Sequence, residues 1–410
     1  MSTNPPVDTA VSSSVSVFPT RGVTGADGSS LRSYCVVGSG WAFTSGLSYY
    51  TCRLAHAFAE QHRTSVILMR RLIPRVFYPG RDRVGQPVNN LDYGDHVPVF
   101  DGIDWWWLPS LWRAARFLRA QRPDVLVLQW WTAAVAHSYL VLAVVARRLG
   151  ATVVVEFHET ADTGESRLPL VGRYVRLIGR AIFRRCDGIV VHSEFDRAEV
   201  AAHYPVGDLP VRVAPHGPFD HHVAGEPAAS TESRETDDFT VLFFGTIRPY
   251  KGLEHLVEAF DSLDDDTVAA MRLVVVGEPW EGWTRPLELI AASRHRDRIT
   301  LVDRYVHDDE VASFFAQADA VALPYLRSSA SGPLHIAMAA GLPVVLTDVG
   351  GLRAAAGDYE GVVWVPPADP GALRTALSQL LSRRGERYAD PRSWADTVTA
   401  YDELAREAGR

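Results

Sequence analysis

Two cations follow a strand-like run at a spacing that suits phosphate. Val241-Leu242-Phe243-Phe244 is apolar and stops at Gly245, which permits a tight turn. Arg248 and Lys251 come next, and then Leu253, Leu256, Val257 and Phe260 recur at helical spacing. A strand–loop–helix unit of this kind sets its loop at the mouth of a parallel sheet, where open α/β sheets bind ligands. Arginine forks onto a phosphate and lysine adds a compact point charge, so a diphosphate is the natural guest. A βα turn carrying two solvated basic residues is the plainer reading of the same pattern.

A second anion element stands about eighty residues further on, from Ala322 to Val345, and reads as strand, loop, short helix, strand. Ser331 suits an N-cap, and Gly332 and Pro333 suit a first helical turn. Gly341 closes the helix and Pro343 prevents its continuation. A helix N-terminus behind a small-residue loop holds anions through backbone amides and the helix dipole. Two such elements in one domain suggest a nucleotide diphosphate.

The pair resembles the donor-binding half of glycosyltransferase family 4, retaining nucleotide-sugar enzymes of the GT-B fold. The family's G-x-x-x-x-x-K-G loop is similar to Gly245–Gly252, and its G-x-P-x-x-E-A-M-A-x-G-x-P-V-V is similar to Ser331–Val345. Ile189-Val190-Val191-His192-Ser193-Glu194, Val213-Ala214-Pro215-His216-Gly217, Leu273–Gly277 and Ala318–Pro324 follow the family in order. The resemblance spans about residues 33 to 405 and is specific as an ordered set. It implies an α/β, GT-B architecture: two doubly wound, Rossmann-like parallel-sheet domains facing across a cleft. It places donor binding at Gly46, Gly245, Tyr305, Val306, Ser328, Ser331, Gly332, Pro333 and Leu334. Arg248, Lys251 and His158 are the implied catalytic residues, and Glu159 and Asp162 the acceptor contacts, with retention at the anomeric carbon. His158 follows the strand Thr152–Phe157 and stands where family members carry a histidine near the reacting sugar. A histidine that merely caps the next turn is the alternative, as is plain solvation for Glu159, Asp162 and Glu165.

One departure stands out. The family's two glutamates, eight positions apart, fall here on Ser328 and Ile336. In the family the first contacts the sugar and the second the nucleotide ribose. Neither side chain can do so here, which leaves donor identity and turnover in question.

These residues need elements to hold them. Strand candidates recur at Ser33–Val37, Ser65–Met69, Val125–Gln129, Thr152–Phe157 and Gly188–His192, separated by helical patterns at about Leu47–Gln61, Leu111–Ala120, Ala133–Leu149 and Leu170–Cys186. A second alternation runs from Phe239 through Arg272–Val276, Ile299–Val302, Ala320–Leu323, Val344–Thr347 and Gly361–Val365. Such alternation predicts parallel, doubly wound sheets. The expected organisation is a disordered tail at 1–32, an acceptor-side domain at 33–222, a polar linker at 223–238, a donor domain at 239–388 and a terminal helix at 389–410 that packs back on the first domain. Gly38, Gly40 and Gly46 make no G-x-G-x-x-G fingerprint, so a dinucleotide cofactor is rejected. They still permit close ligand approach, with Gly46 the expected contact and a tight turn the alternative.

Composition narrows the class. A chain of 410 residues suits two domains, and a net charge of -8 argues against a general nucleic-acid binder. Cys35, Cys52 and Cys186 have no metal spacing and read as free thiols of a reducing cytoplasm. The adjacent His221 and His222 do not make a metal signature, and no cofactor or metal is expected beyond the nucleotide-sugar co-substrate. No stretch of about twenty apolar residues predicts a membrane span, and the first thirty residues lack the basic start and apolar stretch of a signal peptide. Arg173, Arg176, Arg180 and Arg184 stand at helical spacing opposite apolar residues, and Arg70, Arg71, Arg75, Arg113, Arg116 and Arg119 add charge to the same domain. Peripheral contact with an anionic inner membrane face and a lipid-linked acceptor is one reading, and a packed helix with a basic solvent face the other. Trp105–Trp107 and Trp130-Trp131 suit sugar stacking, an interface, or core packing. The chain therefore reads as a cytoplasmic hexosyltransferase acting from a nucleotide diphosphate sugar on a glycan, lipid-linked or small-molecule acceptor. An epimerase or phosphorylase on the same scaffold, or a non-catalytic partner subunit, are the alternatives.

Overall fold

The computed structural model describes residues 31–40, 46–71, 91–104, 108–158, 169–219, 238–280, 282–306, 308–328 and 331–409. Among them, thirteen strands form two sheets. The first holds β1 (Ser33–Ser39), β2 (Arg63–Arg71), β3 (Val99–Asp104), β4 (Val125–Trp130), β5 (Thr152–Phe157), β6 (Gly188–Val191) and β7 (Val211–Val213), in the order β3-β2-β1-β4-β5-β6-β7. The second holds β8 (Phe239–Phe244), β9 (Met271–Val276), β10 (Ile299–Val302), β11 (Ala320–Leu323), β12 (Val344–Thr347) and β13 (Val362–Val365), in the order β10-β9-β8-β11-β12-β13. Every pairing is parallel.

Helices cover the sheets. In the first half they are α1 (Gly46–Gln61), α2 (Leu108–Gln121), α3 (Ala136–Arg148), α4 (Pro169–Phe183) and α5 (Glu194–His203). The second half has α6 (Leu253–Asp261), α7 (Asp265–Ala269), α8 (Arg285–Ala292), α9 (Asp308–Gln317), α10 (Gly332–Ala339), α11 (Leu352–Ala356) and α12 (Pro370–Leu380), and α13 (Trp394–Ala408) ends the chain. The inner strands are apolar without alternation because both faces are buried, as in Val125–Leu128 and Val153–Val155. Apolar clusters pack on the sheets: three border the first sheet and two the second.

The predicted two-sheet architecture is present. β3 and β7 are additions to the sequence reading. Both are edge strands: β3 carries Asp101, Gly102 and Asp104, and β7 has three residues, so neither gives a strong apolar signal. Strand order reverses between β1 and β4 and between β8 and β11, which puts a crevice at the carboxyl end of each sheet.

The terminal helix does return to the first domain, against α1, β6 and β7. Ser393 caps it by accepting from the Asp396 amide, Thr397 Oγ1 donates to the Pro215 carbonyl (2.7 Å), and Tyr34 donates to Asp402 (2.5 Å). Leu404 lies over Gly188, where a Cβ would come within 2.7 Å of it. The linker at 223–237 and residues 1–30 of the tail lie outside the described residues.

Gly38 and Gly40 are required by internal packing: a Cβ on Gly38 would sit 2.2 Å from Gln129 Oε1, and one on Gly40 would sit 2.6 Å from the Met69 carbonyl. Gly46 opens α1 without a positive φ, and a Cβ there meets only Phe219 at 3.6 Å, so no tight turn requires it.

Gly252 is the glycine that the backbone demands. Its φ is +62°, and a Cβ would lie 2.1 Å from the Pro324 carbonyl oxygen. Gly252→Ala should lower stability by about 2 kcal/mol or more. The urea midpoint reads this, and an unchanged midpoint would show that the loop relaxes freely.

Candidate active site between the two sheets

The two predicted anion elements meet at the β8/β11 switch point. Gly245 leaves β8 with φ +122°, and a Cβ built on it would lie 3.7 Å from Pro333 at the start of α10. Lys251 is buried, with its ammonium 3.8 Å from the centre of the Tyr325 ring. The Tyr325 hydroxyl accepts from Ser331 Oγ (3.2 Å), which in turn accepts from the Leu334 amide (3.3 Å) as the helix cap. Arg248 stacks its guanidinium on Trp280, 4.8 Å from the ring centre. Burial, with Arg248 adding to it and Tyr250 opposing, brings the Lys251 ammonium down to about 8. Among the described residues, a Cβ on Gly332 would meet nothing within 4 Å.

The facing end of the first sheet is organised around a carboxylate. Glu156, next to last in β5, is fully buried. Tyr50 of α1 donates to its Oε1 (2.6 Å) and Gln129 of β4 donates to its Oε2 (3.0 Å). His158 Nε2 lies 3.4 Å from Oε2, and His192 Nε2 lies 3.5 Å from Oε1. Burial opposes ionisation of Glu156, but His158 and His192 outweigh it and hold the carboxyl below its usual range. Burial, reinforced by His158, brings His192 down to about 4.

A stack of rings joins the halves. His216, past the end of β7, lies 5.2 Å from His192 and stacks on His335 of α10 at 4.4 Å and 11°. Phe219 stacks on both. Arg392, gripped by Asp390 through two bonds of 2.9 Å, points a guanidinium nitrogen at His335 Nδ1. Burial lowers both His216 and His335 well below the ordinary imidazole range.

The structure thus brings together Gly245, Lys251, Ser331, Pro333 and Leu334, with Arg248 and Gly332 in the same loops. The Val306 side chain is buried in the second core, in one cluster with Phe219 and Phe315. Tyr305 is half-buried and its carbonyl accepts from Arg304 (3.3 Å). Ser328 offers its carbonyl to the Gly351 amide (3.0 Å), and Ile336 packs in the core at 6% exposure. Trp130 is core, against Phe157 and Phe183, rather than a sugar platform. Glu159, Asp162, Glu165, Trp105–Trp107, Arg75, His221 and His222 lie outside the described residues. Sequence reading missed Glu156, Tyr50 and the joint role of His192, His216 and His335. The available signal was a glutamate inside the apolar run Val153–Phe157, a position that is rarely charged without partners.

Residues 45–217 match the profile described as "Glycosyl transferase 4-like domain", and residues 238–383 match "Glycosyl transferases group 1". A D-inositol 3-phosphate glycosyltransferase of Xylanimonas cellulosilytica is 28% identical over 83% of this chain and 84% of its own length. The protein of the same name from Geodermatophilus obscurus is 30% identical over 57% and 56%. Among solved structures, a glycosyltransferase from Rickettsia africae superposes with a TM-score of 0.61 at 15% identity, covering 92% of this chain and 93% of that one. Anabaena HepE in complex with UDP and glucose gives 0.58 at 14%, covering 92% and 95%. These superpositions establish the shared GT-B fold.

The ring stack makes stability depend on pH. Unfolded, His335 takes up a proton near pH 6.5; folded, burial and Arg392 refuse it until lower pH. The unfolded state therefore binds more protons as pH falls, and stability is lost on the acid side. His335→Gln keeps an acceptor for Arg392 without titrating. Between about pH 7.5 and about pH 5.5 the thermal midpoint of the unmodified chain should fall further than that of His335→Gln. Equal falls would remove His335 from the acid sensitivity.

Proposed function

The chain belongs to the glycosyl transferases of group 1, and from that premise we propose that it moves a hexose from a nucleotide diphosphate sugar to a glycan, lipid-linked or small hydroxylated acceptor, with retention at the anomeric carbon. The convergence of Gly245, Lys251, Tyr325, Ser331 and Pro333 at the β8/β11 switch point carries this reading. Arg248, Lys251 and the N-terminal end of α10 are placed to neutralise the leaving diphosphate, so no metal is needed there. Each such contact is worth about 3 kcal/mol at the transition state. UDP in the HepE structure supports a uridine donor, and the inositol phosphate in the names of the relatives supports a small polyol acceptor. His158 belongs beside the reacting sugar, with its ring held by Glu156 and Tyr50. Glu159 and Asp162 are the proposed acceptor contacts.

Thermal shift against nucleoside diphosphates and their sugars tests the donor site. One base should stabilise the chain selectively, and Lys251→Ala and Arg248→Ala should each abolish the shift and lower turnover about 10²–10³-fold. Because burial holds Lys251 near about 8, the diphosphate should bind more weakly as pH rises from about 7 to about 9, when the ammonium loses its proton. No shift with any nucleotide at millimolar concentration would sink the reading.

The acceptor side faces an anionic membrane surface on the cytoplasmic side in this proposal. No helix among the described residues is long and apolar enough to cross a membrane. Five of the eight exposed large apolar residues, however, sit on three neighbouring helices: Leu108 and Trp112 on α2, Val141 on α3, and Tyr174 and Leu177 on α4. Arg113, Arg116, Arg119, Arg173 and Arg180 are exposed on α2 and α4. Arg70 does not join them, since Asp104 binds it through two nitrogens. Apolar side chains rimmed by arginines suit an interface with anionic lipid. The chain should float with phosphatidylglycerol vesicles at low salt, and a Trp112→Ala, Leu177→Ala double variant should float several-fold less. Absence of binding at low salt removes the membrane from the proposal.

A further inference from the structure

Glu156, His158 and His192 face one another, and neither imidazole Nε2 makes a hydrogen bond. The Ala214 carbonyl can only accept, so the 3.1 Å contact from His192 places the hydrogen on Nδ1. Nε2 of His192 then presents a bare lone pair to Glu156 Oε1 at 3.5 Å, and it has no hydrogen-bond partner. His158 Nε2 is likewise without a partner, 3.4 Å from Oε2. The histidine side chains are 10% and 9% exposed and the glutamate side chain 0%. A lone pair aimed at a carboxylate oxygen in a buried setting, as at His192, is repelled by it unless a cation lies between them.

The separations define which cation. Ligand atoms of a tetrahedral site with bonds of about 2.0–2.1 Å stand roughly 3.3–3.5 Å apart. The two carboxylate–imidazole distances match that span, and the three ligand atoms all lie within 4.8 Å of one another. We propose that Glu156, His158 and His192 bind one divalent metal ion of the zinc class. Two imidazoles with a carboxylate suit zinc and its first-row neighbours better than magnesium or calcium, and leave a fourth position open.

The surroundings are those of a metal site. Tyr50 and Gln129 hydrogen-bond the carboxylate oxygens while leaving each a second lone pair, and Ala214 orients His192. An entry path exists, because His192 and His216 line a cavity of about 330 Å³ between the domains. All three ligands belong to the first domain, so the site is separate from the diphosphate elements of the second. Parallel pairing of Glu156 with Val190 brings His158 level with His192, a proximity that sequence spacing does not announce.

The test uses the full chain without a histidine tag, stripped with chelator and then incubated with zinc. After gel filtration it should retain about one zinc per chain, and its thermal midpoint should rise. His192→Ala and Glu156→Gln should each weaken zinc retention at least tenfold. Cobalt(II) added to the unmodified chain needs no variant: intense visible bands of a four- or five-coordinate site, displaced by zinc, support the assignment. Background metal content with a pale six-coordinate cobalt spectrum overturns it. Equal zinc retention by a folded His192→Ala also overturns it, since the metal would then sit elsewhere.

Discussion

The Glu156 carboxylate is the constraint around which the first domain is built. An ionised group at 0% exposure is tolerated only where donors or cations meet every lone pair. Here donors arrive from α1 and β4, and the imidazoles at the ends of β5 and β6 face the remaining lone pairs, so the helix and three neighbouring strands must hold a single register. Thr51 donates to Gln129 Oε1 (2.6 Å), which turns the amide so that its nitrogen serves Glu156. Gly38 follows from the same requirement, because any Cβ there would strike that amide oxygen. Tyr139 then fixes the strand by donating to the Gln129 carbonyl (2.6 Å). A polar group in the core thus dictates a glycine, a threonine and two tyrosines, and a half-satisfied version would be worse than an apolar core.

The same cluster reaches the second domain without a covalent link at that point. His192 touches His216, His216 stacks on His335, and His335 meets Arg392, which Asp390 holds. Trp394 lies against Gly217, where a Cβ would come within 2.3 Å of the indole, and donates to the Pro218 carbonyl (3.1 Å). The segment that carries Asp390, Arg392 and Trp394 therefore clamps the end of β7 from one side and α10 from the other. His335 is the residue after Leu334, whose amide closes the Ser331 cap. Any shift of one domain against the other is felt at the helix that frames the diphosphate elements.

What the sequence disclosed divides along the distance between interacting residues. The turn at Gly245, the cap at Ser331 and the stop at Gly341 are local: each depends on residues within a few positions, and each appears in the structure with the expected φ or hydrogen bond. The alternation of strands and helices is equally local, and fails only at β3 and β7, where edge strands lack an apolar run. The Glu156 cluster is the opposite case. Tyr50, Gln129, Glu156 and His192 are far apart in the chain, and only the strand order makes them neighbours. Val306 is a related case: its place in a motif said nothing of the way its side chain faces, and the core takes it.

The two missing family glutamates acquire a physical meaning from α10. Ile336 is inward, in the cluster with Tyr325 and Leu334, where a carboxylate would have to be buried without a partner. The adjacent His335 is committed to the interdomain stack. Ser328 is fixed through its carbonyl to Gly351, and Gly350 must be glycine because a Cβ would lie 2.1 Å from that oxygen. The helix has thus turned both family positions to packing while keeping its N-terminal cap and its proximity to Gly245. In the proposed function, charge neutralisation of a diphosphate does not depend on those two positions, since it falls to Arg248, Lys251 and the helix end. Carboxylate recognition of ribose and sugar hydroxyls from those two positions is lost, so selectivity for the donor has to come from other groups lining the cleft.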